Sequence, residues 1–229
     1  MKYLLSFILL LTLNTPAFAY DISDYFFLNK GAYCFFDRGA FYADGSTYSF
    51  NAGPASRYSM MTPSTATTYV FYMNDTEAGI VLAGLEGDSG NFFDMSTDNV
   101  VILASNLAEG QQVISTSTHP TFPLTVTSTY LGTEDVIIGS TTYPNCLKMR
   151  LHLGLFPSGW IEEMIWLAKD KGIVKVYRVP GSSDGFGIFS LIGLDLRNQT
   201  VIVDTLNGIT QGNGLPTPGT NTVVVVPML

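Results

Sequence analysis

Short apolar segments bounded by turn-forming residues run along almost the whole chain. They are rich in Val, Ile, Tyr, Phe and Thr, and Gly, Asn, Asp or Pro separates each from the next, which is typical of β-strands. The predicted strands lie within AYCFFDRGAFYADGSTYSF, TTYVFYM, GIVLAGL, NVVILAS, QQVISTS, LTVTSTYL, EDVIIGS, NCLKMRLHL, GIVKVYR, FGIFSLIGLDL and TVIVDTL. We expect an all-β chain with short connections and a hairpin turn at Asp44-Gly45, where both residues accept positive φ.

The segment from Cys146 to Leu153 alternates with a period of two residues. Leu147, Met149, Leu151 and Leu153 share one face, and Cys146, Lys148, Arg150 and His152 share the other. One face is therefore expected to be buried and the other to be wet or semi-polar. FGIFSLIGL is apolar at nearly every position, as in a strand covered on both faces. These patterns predict a curved sheet with material packed into its hollow.

The segment SGWIEEMIWLAKDKG, residues 158–172, is compatible with two structures. Trp160, Ile161, Met164 and Ile165 match helical spacing, and Ser158 is a possible cap of such a helix. The periodicity alone leaves helix and strand open.

The first nineteen residues have the layout of an export signal. Lys2 precedes a ten-residue apolar run from Leu4 to Leu13, and Ala17-Phe18-Ala19 is a small-x-small cleavage sequence. Such a run is too short for a membrane-spanning helix, which needs about 20 apolar residues. We therefore expect residues 1–19 to be removed, no transmembrane span to remain, and the protein to be periplasmic or secreted.

The chain carries an excess of acidic residues. It has 11 Lys and Arg against 19 Asp and Glu, and removal of Lys2 with the signal changes the net charge from −8 to −9. This charge repels nucleic-acid backbones and anionic lipid surfaces, so nucleic acid is not an expected partner.

The composition changes after Leu206. NGITQGNGLPTPG is typical of a linker, and TNTVVVVPML is a short β-prone segment. We expect one β domain over residues 20–206 and a flexible tail over residues 207–229. Residues 220–229 could bind a protein partner as an added strand, or could form the last strand of this protein's own sheet.

The chain has two cysteines, Cys34 and Cys146. An oxidising compartment would allow a disulfide between them, and two buried free thiols are the alternative. The sequence does not show whether their Cα atoms lie within bridging distance, so both alternatives stay open.

Two segments spell motifs of serine hydrolases. Gly87-Asp88-Ser89-Gly90 matches the nucleophile sequence of chymotrypsin-like proteases, but His119 and His152 both follow Ser89, whereas that arrangement needs a preceding histidine. Residues 181–185 match a nucleophile elbow, but no histidine follows them. We interpret both as polar turns. The sequence also has no zinc or phosphate-binding motif, so we expect neither an enzyme nor a cofactor or metal site.

Two parts of the chain resemble a family of exported bacterial proteins of unassigned function. DYFFLNKGAYCFF, residues 24–36, is similar to their opening, and DVIIGSTTYPNCLKMRL and IWLAKDKGIVKVYR, within residues 135–178, are similar to their ending. The fold of that family is similar to that of the lipoprotein localisation factors, in which one antiparallel sheet curls into an incomplete barrel around an apolar hollow. The resemblance implies that fold here, with GWIEEMIWLAK as a strand that pairs with GIVKVYR across Asp170-Lys171-Gly172.

The apolar composition and the resemblance lead to two hypotheses for function. The first is a non-catalytic exported module that binds a lipid or another apolar ligand in the hollow, because such sites are lined mainly by apolar and aromatic side chains. The candidate ligand-binding residues are Tyr69, Phe71, Trp160, Met164, Trp166 and Tyr177. Filling of the core is the alternative role for these side chains. The second hypothesis is a periplasmic or surface protein-protein interaction module that uses the C-terminal segment.

Overall fold

The computed structural model describes residues 20–26, 32–36, 39–62, 67–86, 92–155, 159–179 and 202–211. Within these ranges a short 3-10 helix, Ile22–Asp24, precedes thirteen strands. The strands are β1 (Ala32–Phe36), β2 (Gly39–Phe50), β3 (Gly53–Thr62), β4 (Thr67–Thr76), β5 (Gly79–Glu86), β6 (Phe92–Asp94), β7 (Val100–Ala104), β8 (Gln112–Ser117), β9 (Leu124–Ile138), β10 (Thr141–Leu155), β11 (Gly159–Ala168), β12 (Gly172–Arg178) and β13 (Ile202–Gln211). The described part of the chain contains no helix that is both long and apolar enough to cross a membrane. The predicted signal peptide and the segment FGIFSLIGLDL lie outside the described residues.

The thirteen described strands form one antiparallel sheet. Its order is β6-β5-β4-β3-β2-β1-β13-β12-β11-β10-β9-β8, and β7 pairs with β5 along the same edge as β6. β13 joins the two halves, because it pairs with β1 on one side and with β12 on the other. The sheet is strongly curled and forms a half-barrel, which confirms the predicted fold class.

β7 lies where the two ends of the curled sheet approach each other. It pairs with β5 through its backbone, whereas serine side chains connect it to β8 and β9. The Ser128 hydroxyl accepts a hydrogen bond from the Ala104 N–H at 3.2 Å, and the Ser115 hydroxyl donates one to the Val101 carbonyl at 3.1 Å. These two hydrogen bonds join the ends of the curled sheet, and we call this contact of β7 with β8 and β9 the seam.

The inner face of the sheet is packed with apolar side chains. The two-residue period of β10 is confirmed, because its inner residues Leu147, Met149, Leu151 and Leu153 are at most 2% exposed. The same alternation in β11 buries Ile161, Ile165 and Leu167 completely. Burial of each such side chain contributes about 1.5–3 kcal/mol to folding. The hollow of the half-barrel is therefore largely a core.

The first described residues pack into one end of this hollow. The Tyr20 hydroxyl donates a hydrogen bond to the Ala104 carbonyl at 3.0 Å, and the Tyr20 carbonyl accepts one from the Asn106 N–H at 3.1 Å. The Ile22 N–H donates to the Ser105 hydroxyl at 3.1 Å, and the Ile22 side chain is completely buried. The segment that directly follows the predicted cleavage site is thus part of the core.

The segment that was compatible with helix or strand forms β11 and its hairpin with β12. β11 pairs along its length with β10 and, from Glu163 to Ala168, with β12. The chain reverses at residues 169–171, where Asp170 has a φ of 59°, and Gly172 follows with a φ of 82°. The strand that the resemblance implied is confirmed, and the helix is wrong.

The hairpin turn predicted at Asp44-Gly45 is wrong, because β2 continues through these residues. The register between β2 and β3 shifts between Ala43 and Thr47, and the chain reverses at residues 51–52 instead. The backbone freedom of Asp-Gly suits an irregularity inside a strand as well as a tight turn.

β13 extends to Gln211, beyond the predicted domain boundary at residue 206. Residues 208–211, which lie in the segment interpreted as a linker, pair with β1. Residues 212–229 lie outside the described residues.

Candidate functional site

A cavity of about 170 Å³ lies at the end of the hollow into which the 3-10 helix packs. Its described polar lining includes Ser23 from the helix, Ser56 and Tyr58 from β3, and Asn74 and Asp75 from β4. Asp75 is an exposed residue, so the cavity reaches the surface beside its carboxylate. Three chain segments that are distant in sequence therefore place polar groups around one space.

The apolar lining of the cavity includes two aromatic rings. The Phe26 and Tyr58 centroids lie 5.9 Å apart with an interplanar angle of 57°, and Met73 lies opposite Ser56 in the β3–β4 register. Tyr58 is opposite the fully buried Phe71, which places its ring on the inner face of the sheet. A ligand in this cavity would touch apolar surface and polar atoms together.

The electrostatics of the cavity are set by carboxylates. Burial raises the pKa of Asp75, the negative charge of Asp21 raises it further, and a hydrogen bond with the Ser23 side chain acts in the opposite direction. Burial also raises the pKa of Tyr58, which hydrogen-bonds with the Ser56 side chain. The surroundings therefore do not fully offset the cost of ionising the Asp75 carboxyl group, and a nearby positive charge would stabilise its ionised form.

The sequence did not identify these cavity residues. The available signal was the polar side chains of ASRYSM, which place Ser56 on the same strand face as Tyr58, and the Asn74-Asp75 pair at the end of β4. These residue types are also common at strand ends and turns, so the pattern does not distinguish a site from a turn.

Four of the six predicted ligand-binding residues come together on the outer face of the sheet. Trp160, Met164 and Trp166 alternate with Ile161 and Ile165 along β11, so they lie on the other face of the strand, although Trp166 is only 4% exposed. Tyr177 is opposite Met164 in the β11–β12 register and shares that face.

The other two predicted residues belong to β4. Phe71 is completely buried in the core, which corresponds to the core-filling alternative. The backbone of Tyr69 is opposite Met60, and the side chain of Tyr69 lies outside the described part of the structure. Ligand binding by these six residues stays a prediction.

Trp166 is the centre of a charged cluster on the outer face. Its indole N–H donates a hydrogen bond to Glu134, and the ammonium groups of Lys148 and Lys175 lie 5.1 and 4.4 Å from its ring centroid. Lys148 also pairs with Glu134 at 2.9 Å. Burial acts to raise the pKa of Glu134, but these hydrogen bonds and the two positive charges outweigh it and hold the pKa below its usual value.

Trp160 stacks on an imidazole farther along the same face. Its ring lies 5.5 Å from that of His152 at an angle of 17°, and the His152 Nδ1 lies 3.4 Å from a Glu162 carboxylate oxygen. Trp160 is 37% exposed, so this end of the face meets solvent.

A second aromatic cluster lies on the outer face of β2–β6. Tyr48, Phe50, Tyr72 and Phe92 contact one another with centroid distances between 4.8 and 5.7 Å. The Phe50 ring lies on Gly84, where an added Cβ would come within 2.9 Å of it. Tyr48 and Phe92 are 46% and 38% exposed, so part of this cluster is accessible.

Glu163 and Arg178 bring opposite charges into the interior. They are opposite each other in the β11–β12 register, and their residues are 0% and 2% exposed. Loss of one partner would leave an uncompensated buried charge, which is strongly destabilising. Alternation alone did not predict these charges, because they occupy inward positions of otherwise apolar strands.

Cys146 is a completely buried free thiol. It donates a hydrogen bond to the Tyr143 carbonyl at 3.3 Å, and burial raises its pKa to about 11. Cys34 lies in β1, and β13, β12 and β11 separate that strand from β10 in the sheet. The side chain of Cys34 lies outside the described structure, so pairing of the two cysteines stays a prediction.

The hydrolase-like spellings at residues 87–90 and 181–185 lie outside the described residues, and their interpretation as turns stays a prediction. The His119 imidazole contacts the Thr121 hydroxyl at 3.2 Å and the Phe93 ring at 5.5 Å. Within the described ranges, no group of three or more His, Cys, Asp or Glu side chains is placed to hold a metal ion.

Comparisons of this chain with protein families, with curated proteins and with solved structures found no match.

Proposed function

We propose that this protein is an exported, non-catalytic binding module that holds a small, partly apolar ligand at the end of its half-barrel. The observation that carries this proposal is the cavity beside the 3-10 helix, where polar groups converge on a space walled by aromatic and aliphatic side chains. Small-ligand sites commonly combine apolar walls with a few placed polar groups.

The size of the cavity limits the ligand. Sites for drug-sized molecules are about 300–1,000 Å³, and this cavity is about 170 Å³. The adjoining core is closely packed, with Phe71 and Met73 at most 2% exposed. The ligand is therefore a small molecule, or the end group of a longer one whose remainder lies outside.

Native mass spectrometry of protein purified from its own host tests the proposal. We expect a fraction of the protein to carry a bound small molecule, or to take one up from short amphiphiles such as hexanol, hexanoate and hexylamine. A single ligand-free mass that does not change with any of these probes would reject the proposal.

A cavity-filling variant locates the site. Ser56→Leu adds an apolar side chain to the cavity wall and should abolish uptake, whereas Thr116→Leu, at an exposed position of β8, should leave uptake unchanged. Equal uptake by both variants would place the ligand elsewhere. Thermal unfolding of each variant verifies that the fold is retained.

A protein-protein interaction module that uses residues 220–229 is the second candidate function. These residues lie outside the described structure, and the hypothesis stays a prediction.

A further inference from the structure

The cavity beside the 3-10 helix carries a negative charge. Among the described residues of its lining, Asp75 is the one carboxylate, and none of them is Lys or Arg. A second carboxylate, Asp21, is close enough to raise the pKa of Asp75. The net charge of the chain, −8, adds a field of the same sign. An anionic ligand would therefore be repelled, and a cation attracted.

Two described positive side chains near this end of the molecule have other partners. The Lys169 ammonium pairs with the Asp24 carboxylate at 3.0 Å. Arg57 is opposite Tyr72 in the β3–β4 register, on the outer face, and hydrogen-bonds with the Tyr72 side chain. Since Ser56 and Tyr58 face inward, the intervening Arg57 points away from the cavity.

The walls of the cavity suit an organic cation better than a metal ion. The rings of Phe26 and Tyr58 are tilted towards each other and both line the space. Aromatic faces attract cations within about 6 Å, and quaternary ammonium groups are bound in this way. Calcium and magnesium ions prefer several oxygen ligands, whereas the described lining has a single carboxylate among hydroxyl, amide and apolar groups.

The volume fits one compact charged group. A protein cavity of about 150 Å³ can hold benzene, so a cavity of about 170 Å³ has room for a methylated ammonium group but not for an extended chain.

We propose that the cavity binds a small organic cation of the alkylammonium class. Asp75 is its counter-ion, Phe26 and Tyr58 contact its methyl groups, and Ser23 and Ser56 bind polar atoms attached to it. This inference rests on the proposed binding function and specifies the charge of the ligand.

Isothermal titration calorimetry with two probes of equal shape tests whether the ligand is positively charged. The probes are choline and its uncharged carbon analogue 3,3-dimethyl-1-butanol, each added to the full mature protein at constant ionic strength. We expect choline to bind saturably and at least about 10-fold more tightly than the analogue, which is the scale of one desolvated cation–π contact. Equal affinities would overturn the assignment of a cation while leaving the binding function intact.

Variants then assign the contacts. Asp75→Asn keeps the shape of the side chain and should lower the affinity for choline about 10-fold or more without changing that for the analogue. Glu77→Gln, an exposed turn residue, removes the same charge outside the cavity lining and should change the affinity less than about 2-fold. Equal losses in the two variants would show that choline responds only to the overall field, and would contradict the site.

Competition with potassium chloride and sodium chloride separates the two kinds of cation. Displacement of choline by either salt at concentrations comparable to that of choline would assign the site to an inorganic ion and overturn the proposal. The choline and analogue titrations use the wild-type protein, so the test of charge does not depend on the folding of any variant.

Discussion

At the scale of single residues, burial decides the chemistry of Cys146. The thiolate is the reactive form of cysteine, and burial raises the pKa of this thiol to about 11. The side chain is also completely enclosed. As a thiol, Cys146 therefore fills space as a small apolar side chain.

We expect Cys146 to be protected from thiol reagents in the folded protein. In a Cys34→Ser variant, Ellman's reagent should find no rapidly reacting thiol at neutral pH and one thiol after unfolding in guanidinium chloride. The folded-state pKa lies above the ordinary value of 9.0, so the protonated thiol stabilises the fold below about pH 9, and this contribution is lost as the pH rises towards 11. Wild-type protein that yields no thiol when unfolded without reductant would instead show a disulfide.

The pH dependence that Glu134 gives to the stability of the fold is opposite in sign to that of Cys146. Its pKa is held below the usual value in the folded protein, so its ionised form stabilises the fold at neutral pH and the contribution is lost as the pH falls below about 4.5. The Glu134 side chain is 42% exposed, so we expect less than about 1 kcal/mol from it.

Urea unfolding of Glu134→Gln measures this contribution. The variant should be less stable than wild type at pH 7, and the difference should shrink as the pH is lowered through the titration of the carboxylate. Glu77→Gln, at an exposed turn, is the matched control. A difference that is independent of pH would show that shape, and not charge, is responsible.

At the scale of elements, the seam between β7 and β9 is held by side chains. Ser128 is completely buried and accepts the hydrogen bond of the Ala104 N–H. A backbone donor left unpaired inside the protein costs about 1–3 kcal/mol. The free energy of the seam is therefore concentrated in a few hydroxyl groups, whereas an ordinary ladder distributes it along the backbone.

We expect Ser128→Ala to lower the free energy of unfolding by about 1–3 kcal/mol, because it leaves this N–H without its acceptor. Thr127→Ala, on the opposite face of the same strand, should cost less than about 0.5 kcal/mol. Chemical denaturation of the two variants provides the comparison. If both variants have the stability of wild type, the seam does not depend on the Ser128 hydroxyl.

The strands themselves could be predicted, because the alternation of apolar and polar residues along a strand reflects which of its faces is buried. Leu147, Met149 and Leu151 are buried as the period indicates. The positions at which the chain reverses were harder to predict, since Asp44-Gly45 is compatible with either a turn or an irregularity inside a strand. The helical spacing of Trp160 and Met164 was equally misleading, because tertiary pairing with β10 and β12 determines that segment.

At the scale of the whole molecule, the cavity depends on how the sheet is assembled. Its residues come from the 3-10 helix, from β3 and from β4, and the register between Ser56 and Met73 brings two of these segments together. No local sequence pattern indicates that these distant segments come into contact. The prediction of ligand-binding residues therefore relied on large apolar side chains. Four of those lie on the outer face, because alternation indicates that a side chain has a face but not which face is inside.

The position of β13 leads to a final prediction about the whole fold. This strand links the two halves of the sheet, since it pairs with both β1 and β12. Truncation after residue 211 keeps β13 and should leave the thermal midpoint within about 4 °C of wild type, the shift expected for 1 kcal/mol in a chain of this size. Truncation after residue 201 removes β13, exposes two strand edges in the middle of the sheet, and should give an aggregated or unfolded product. Differential scanning calorimetry distinguishes the two, and cooperative unfolding of the shorter protein at the wild-type temperature would contradict the linking role.

The longer truncated protein also tests the second candidate function, because loss of a host binding partner with an unchanged fold would assign that interaction to residues 212–229.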